Sequence, residues 1–160
     1  MQNILIVCAD KMLRKDLSKV LSNELDFLYI DVDEVLDFEM LNQQDINIED
    51  AKNVLRDLEK KSINRALGFN NCVITMSRDL FIANNNFLSI NNCKKIFIYL
   101  PKSYFVARNN IGDINRLEQE LLLFDKINKL VEINCDIMVD MGVKSIDEVC
   151  NEIIDKLKKA

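Results

Sequence analysis

Histidine is absent from this chain, and so is tryptophan. Without His there is no imidazole general base, no Ser–His or Cys–His nucleophile pair and no His-ligated metal. Glycine occurs three times, at Gly68, Gly112 and Gly142, and proline once, at Pro101. No two glycines are close, so no intact glycine-rich phosphate loop is available. Few tight turns are expected, and the chain should be mostly regular helix and strand. Long apolar runs are missing as well. The stretch Ile4-Leu5-Ile6-Val7-Cys8-Ala9 is among the longest, far short of the ~20 residues that cross a bilayer. The N-terminus has no basic stretch and no cleavage pattern, which predicts a cytoplasmic protein.

Positive charge is in deficit: 21 Lys and Arg stand against 26 Asp and Glu, a formal net charge of −5. Nucleic-acid binding needs clustered cations that release counterions, so neither a nucleic acid nor an anionic membrane is an expected partner. Cys8, Cys72, Cys93, Cys135 and Cys150 are odd in number and scattered, with no C-x-x-C pair. They read as reduced core thiols. The length of 160 residues suits one domain, residues 1–160, around one core.

What is present alternates. Residues 3–7 are a continuous apolar run, the mark of a strand buried on both faces. Residues 11–25 follow with helical spacing at Met12, Leu13, Leu17, Val20, Leu21 and Leu25, and Asp10 as N-cap. Strands are then expected at 27–31, 72–75, 95–100 and 137–140. Helices are expected at 33–41, 47–67, 101–108 and 113–132, and after Ser145, with Gly68 stopping the second of these. Ser145 and Glu148 have capping-box spacing. The Asn-rich interval 84–92 reads as loop, and Ser77-Arg78-Asp79 as a surface loop with a local Arg–Asp pair. Short apolar strands joined by helices predict a three-layer α/β/α fold with a five-stranded parallel sheet, residues 3–7 at its centre.

Ligands of such a sheet bind beyond the carboxyl ends of its strands. The first strand is followed by Cys8-Ala9-Asp10-Lys11-Met12-Leu13-Arg14-Lys15, and the second ends in Asp31-Val32-Asp33. The chain closes with Cys135-Asp136-Ile137-Met138-Val139-Asp140 and Ser145-Ile146-Asp147-Glu148-Val149. In this order and spacing the chain resembles the shikimate kinase family of P-loop kinases. The resemblance implies a P-loop-kinase-like sheet. If the protein is active, it also implies ATP and Mg²⁺ as cofactors, with Asp31 on the metal and Asp33 on the substrate hydroxyl.

The resemblance breaks at the groups that hold phosphate and carboxylate. The family's loop glycines fall on Cys8, Lys11 and Leu13, its phosphate-binding Lys on Arg14, and its Mg²⁺-binding hydroxyl on Lys15. Its triple-glycine loop falls on Ser77-Arg78-Asp79. Its substrate-binding Arg has no counterpart near Ile46-Asn47. Its lid interval, between Arg108 and Glu118, holds one internal cation, Arg116, and its later Arg and Pro are lost around Ile127 to Val131. Side chains with a Cβ obstruct an amide nest, and a Lys cannot bind Mg²⁺ in place of a hydroxyl.

Each candidate has a plainer alternative. Asp31 and Asp33 are substrate and metal groups, or caps of the following helix. Arg14 and Lys15 bind phosphate at a helix N-terminus, or form a solvated helix face. Arg78 clamps a substrate carboxylate, or sits on a surface loop. Cys8 is a reactive thiol or a half-buried core residue. Arg108 and Arg116 are lid remnants or surface cations.

The expectation is therefore a shikimate-kinase-like protein that has lost ATP binding and phosphoryl transfer. It would need no cofactor and would act as a binding or assembly module for an unidentified protein or small molecule, as a monomer or weak dimer. The alternative is an atypical active shikimate kinase, transferring the γ-phosphate of ATP to the 3-hydroxyl of shikimate. A receiver-like signalling domain is a third reading, weakened by the single acid after the first strand and the lack of an Asp ending the third.

Overall fold

The structure, a computed structural model, describes residues 2–43, 50–84, 93–103, 106 and 112–159. Five parallel strands form one sheet: β1 (Ile4–Cys8), β2 (Leu28–Asp31), β3 (Cys72–Thr75), β4 (Lys94–Tyr99) and β5 (Ile137–Asp140). Their order is β2-β3-β1-β4-β5. Flanking them are α1 (Lys11–Leu25), α2 (Val32–Leu41), α3 (Ala51–Leu67), α4 (Arg78–Ala83), α5 (Ile114–Asn134) and α6 (Ile146–Lys159). No helix of the described residues is long and apolar enough to cross a membrane.

The expected central strand is central. Ile4 pairs with Val73 of β3 on one side and Lys94 of β4 on the other. Alternation along β1 then feeds two cores. Ile4, Ile6 and Cys8 pack with Leu13, Leu17 and Leu21 of α1 and Val149, Cys150 and Ile153 of α6. Leu5 and Val7 pack on the other face with Ile63 and Ala66 of α3 and Leu80 and Phe81 of α4. Each such apolar side chain, fully buried, contributes about 2 kcal/mol. β2 is equally apolar in sequence but lies at the sheet edge, with Leu28 exposed.

Capping sets the helix starts. The Asp10 carboxylate accepts from the Leu13 N–H at 2.9 Å, and Ser145 Oγ accepts from the Glu148 N–H at 3.2 Å. Gly68 ends α3 as expected, but with a right-handed backbone (φ −73) rather than a left-handed one. Asp26, at φ 56, makes the left-handed turn at the end of α1.

Two expectations are corrected. The segment Ser77-Arg78-Asp79 is not a loop: Ser77 caps α4, its Oγ accepting from the Leu80 N–H at 3.2 Å. The strand expected at 95–100 is β4, shifted by one residue. The beginning of the helix expected at Asn47, most of the Asn-rich interval and Arg108 lie outside the described residues. Of the helix expected from Pro101, Lys102, Ser103 and Val106 are helical.

Candidate functional site

The carboxyl ends of β1, β2 and β3 are Cys8, Asp31 and Thr75. After Cys8 two residues, Ala9 and Asp10, complete the connection, and α1 begins at Lys11. Positions where the family's loop would carry glycines, Lys11 and Leu13, thus lie inside the first helical turn. Among the described residues the left-handed region holds Asp26, Asn71 and Gly142, and nothing between Cys8 and Lys15. The Arg14 N–H donates to the Asp10 carbonyl at 3.0 Å, and the Leu13 N–H to the Asp10 carboxylate. A buried carboxylate of the chain itself therefore takes one of the amides, that of Leu13, that a helix N-terminus offers to an anion.

Arg14 is not on a solvated face. It is 2% exposed, and its Nη1 approaches the Cys8 carbonyl at 3.4 Å. Burial holds its guanidinium below the usual arginine value, against the opposing pull of Cys8, Asp33, Asp31 and Tyr29. Lys15, one residue on, turns elsewhere: its Nζ lies 3.2 Å from Asp31 Oδ2.

Asp31 and Asp33 take different structural tasks. Asp31 is the N-cap of α2, accepting from the Asp33 N–H at 3.0 Å. Asp33 lies in the first turn of that helix and accepts from the Ser77 N–H at 2.6 Å. That bond fastens the end of β2 to the start of α4. Arg78 follows Ser77 and pairs with Glu120 of α5, while its Nε stands 3.8 Å from Asp79. The Arg–Asp pair expected there is thus secondary to a contact that no local reading contains.

Two cavities meet at Ser77 and Asp79. One, of about 210 Å³, is lined by Ala9, Lys11, Arg14, Arg78 and Glu120 as well. The other, of about 310 Å³, is bounded by Asp33 and Leu36 of α2, Leu55, Arg56 and Glu59 of α3, and Leu80 and Ala83. Arg56 contributes to the lining it shares with Asp33 a guanidinium that was not anticipated from the sequence. Its Nη1 donates to Glu59 Oε1 at 2.7 Å and Oε2 at 2.8 Å, and the buried Glu59 also accepts from Asn84 Nδ2 at 3.0 Å. The i,i+3 spacing of Arg56 and Glu59 was the available signal.

Cys8 is 1% exposed, a core residue at the end of β1. Arg116 is exposed on α5. Cys8, Cys72, Cys93 and Cys150 are buried and Cys135 is half-buried. Among the described residues no three His, Cys, Asp or Glu side chains are grouped to hold a metal. Chemically, the site offers guanidinium and carboxylate groups at the strand ends, with the Leu13 and Arg14 amides of α1 already bonded to Asp10.

A sequence model of the family described as shikimate kinase matches residues 15–158, beginning just past the β1–α1 junction. The shikimate kinase of Persephonella marina is 27% identical over 165 residues, an alignment covering 99% of this chain and all of that protein. The structure of shikimate kinase from Acinetobacter baumannii in complex with shikimate superposes with a TM-score of 0.77, at 13% identity over 99% of this chain and 94% of that one. That of Aquifex aeolicus shikimate kinase does so at 0.71, with 24% identity over 98% and 96%. Both share the fold described above, and the family match spans the sheet from β2 to β5 and α6. The chain belongs to the shikimate kinase family.

Proposed function

We propose that this family member is a non-catalytic binding module, without useful affinity for Mg-ATP and without phosphorylation of shikimate above background. The β1–α1 junction carries the reading. A nucleotide's phosphates are held by backbone N–H groups that close around them, which glycines permit. In this chain Lys11 to Leu13 are helical and the Leu13 N–H is bonded to Asp10. The position of the metal-binding hydroxyl is Lys15, ion-paired with Asp31. These residues do not fit a nucleotide and its Mg²⁺, so no phosphoryl-transfer step is derived through them. Phosphoryl transfer is nearly all positioning and charge neutralisation. One lost oxyanion donor alone removes about 3–4 kcal/mol, and every ~1.4 kcal/mol is tenfold in rate.

One observation favours the alternative of an active shikimate kinase. Asp33 and Arg56 line the larger cavity together, a carboxylate for a hydroxyl and a guanidinium for a carboxylate. The Acinetobacter baumannii relative is described with shikimate bound, and a hydroxy acid of that kind suits this pair. Isothermal titration with Mg-ATP and a coupled ADP-release assay with shikimate decide between the readings. The non-catalytic reading expects no heat with Mg-ATP and no shikimate-dependent ADP. Micromolar Mg-ATP binding with shikimate-dependent turnover, abolished by Asp33→Ala, would establish the active enzyme.

A further inference from the structure

A groove along the β2 edge lies apart from both cavities of the candidate site. It measures about 480 Å³ and runs between β2, α2 and the end of α3. Leu28, Ile30, Val35, Phe38, Ala66 and Phe69 form its apolar lining. Leu28, Phe38 and Phe69 are exposed, and exposed Leu41 extends the patch from Phe38 along one face of α2. Edge strands are commonly guarded by a charge or a proline. β2 reads Leu-Tyr-Ile-Asp and has neither before its last residue. Its outer backbone is open at Tyr29. Leu28 donates to the Asn71 carbonyl beside β3, and alternation turns the N–H and C=O of Tyr29 away from the sheet. The two ends of the groove differ in charge. β3 starts at Cys72 opposite Leu28, so Arg65 and Phe69, at the end of α3, stand at the amino end of β2. The buried Glu39 carboxylate is shared by Arg65 and Lys61, which leaves positive charge there. Glu34, in the first turn of α2, is exposed at the carboxyl end, and no cation among the described residues pairs with it.

We propose that this groove is covered by a second copy of the chain, the two β2 strands running antiparallel about a two-fold axis at Tyr29. Residues directly opposite in an antiparallel pair share a face. Ile30 packs toward α3, whereas Tyr29 lies under Lys19 of α1 and Asp31 pairs with Lys15. An axis at Tyr29 keeps these faces together. Leu28 of one copy comes opposite Ile30 of the other and enters its groove, and the two Tyr29 residues exchange a reciprocal pair of main-chain hydrogen bonds. An axis at Ile30 would also keep the faces, but it needs the Asp31 carbonyl, which as N-cap serves α2. The same two-fold reverses one groove on the other, so Glu34 of each copy meets the positive end, at Arg65, of its partner. An isologous contact requires such self-complementarity. So few side chains make a weak, concentration-dependent dimer. The contact is independent of whether the chain is catalytic.

Sedimentation equilibrium of the full chain from about 1 μM to about 1 mM tests this. The wild type should pass from monomer to dimer within that range. Each substitution counts twice in a two-fold contact. Leu28→Lys should weaken the dimer at least about a hundredfold, and Glu34→Lys about tenfold. Both side chains are exposed, and a thermal melt checks that each variant is folded. Val143→Lys, at an exposed apolar residue between β5 and α6, is the control and should dimerise as the wild type does. A wild type that is monomeric throughout leaves the groove to another occupant and overturns the proposal. A dimer that survives Leu28→Lys, is indifferent to Glu34→Lys, or is lost equally in Val143→Lys overturns it too.

Discussion

Replacing Asp10 with alanine removes the acceptor that holds the first turn of α1. The residue is 3% exposed, and its carboxylate accepts from the Leu13 N–H at 2.9 Å. Loss of an N-cap costs about 0.5–2 kcal/mol. Loss of a negative charge at the positive end of the helix adds about 0.3–1 kcal/mol. The amide left behind lies next to the buried Leu13 side chain, which places the sum near 2 kcal/mol. For a chain of 160 residues each kcal/mol moves Tm by about 2–4 °C, so Asp10→Ala should melt about 4–8 °C below wild type. Asp10→Asn keeps an acceptor oxygen and loses the charge, and should fall by about 2 °C. Scanning calorimetry measures both. Hydrogen exchange at the Leu13 amide reports the same bond locally, and should accelerate in the alanine variant. A melting point within about 1 °C of wild type, with unchanged exchange at Leu13, would refute the reasoning. The α1 amides would then be open to an outside anion, and the physical case against nucleotide phosphate would fall with them.

Asn3 ties the start of β1 to the α3–β3 connection: its Nδ2 donates to the Phe69 carbonyl at 2.7 Å, and its Oδ1 accepts from the Cys72 N–H at 3.0 Å. Asn3→Ala strands a buried amide and a carbonyl, and urea titration should show a loss of about 2–3 kcal/mol. Burial pushes the Cys135 and Cys150 thiols up to about 12. Both should resist a disulfide reagent at pH 8 in the native protein and react once it unfolds; rapid native labelling of Cys150 would contradict its burial. Their shifts also fix a sign. The unfolded thiols ionise from about pH 8.5 while the folded ones stay neutral. Stability should therefore fall as pH rises past that point toward 12. A urea midpoint that holds constant from pH 8 to 11 would count against it.

The parts of the fold that were legible in the sequence are those where a residue's neighbours in the chain decide its fate. Ile4-Leu5-Ile6-Val7 has no polar face, so it must be covered on both sides, and it is. Asp10 and Ser145 stand at helix starts because their side chains reach amides three residues on. Leu28-Tyr29-Ile30 has the same apolar character as β1 but lies at an edge. Strand order is set by how the crossovers pack, and composition does not encode it. Helix α4 was hidden because its six residues are too few to display a period. Arg14 reads as one of several charged residues on α1, and only the approach of that helix to the end of β1 buries it. Arg56 and Glu120 were missed for a related reason. Each becomes part of a site through a partner on another element, Asp33 of α2 across a cavity and Arg78 of α4 by direct pairing.

The strand order also governs when this chain can fold. β3 lies between β2 and β1, so the first two strands of the chain never touch as a pair. Both wait for Cys72 to Thr75: Leu28 pairs with Cys72, and Ile4 with Val73. Residues 1–71 therefore hold no complete strand pair, whatever helix they have formed. At about 5–20 residues per second of synthesis, that nascent stretch spends seconds with the apolar edges of β1 and β2 unsheltered, and the far side of β1 stays open until β4 arrives at Lys94. Closing loops of this length before any sheet contact repays them slows folding. The helices that form early, α1 above all, have a temporary task that the finished structure does not reveal: they cover Leu13, Leu17 and Leu21 against β1 until the sheet around it exists.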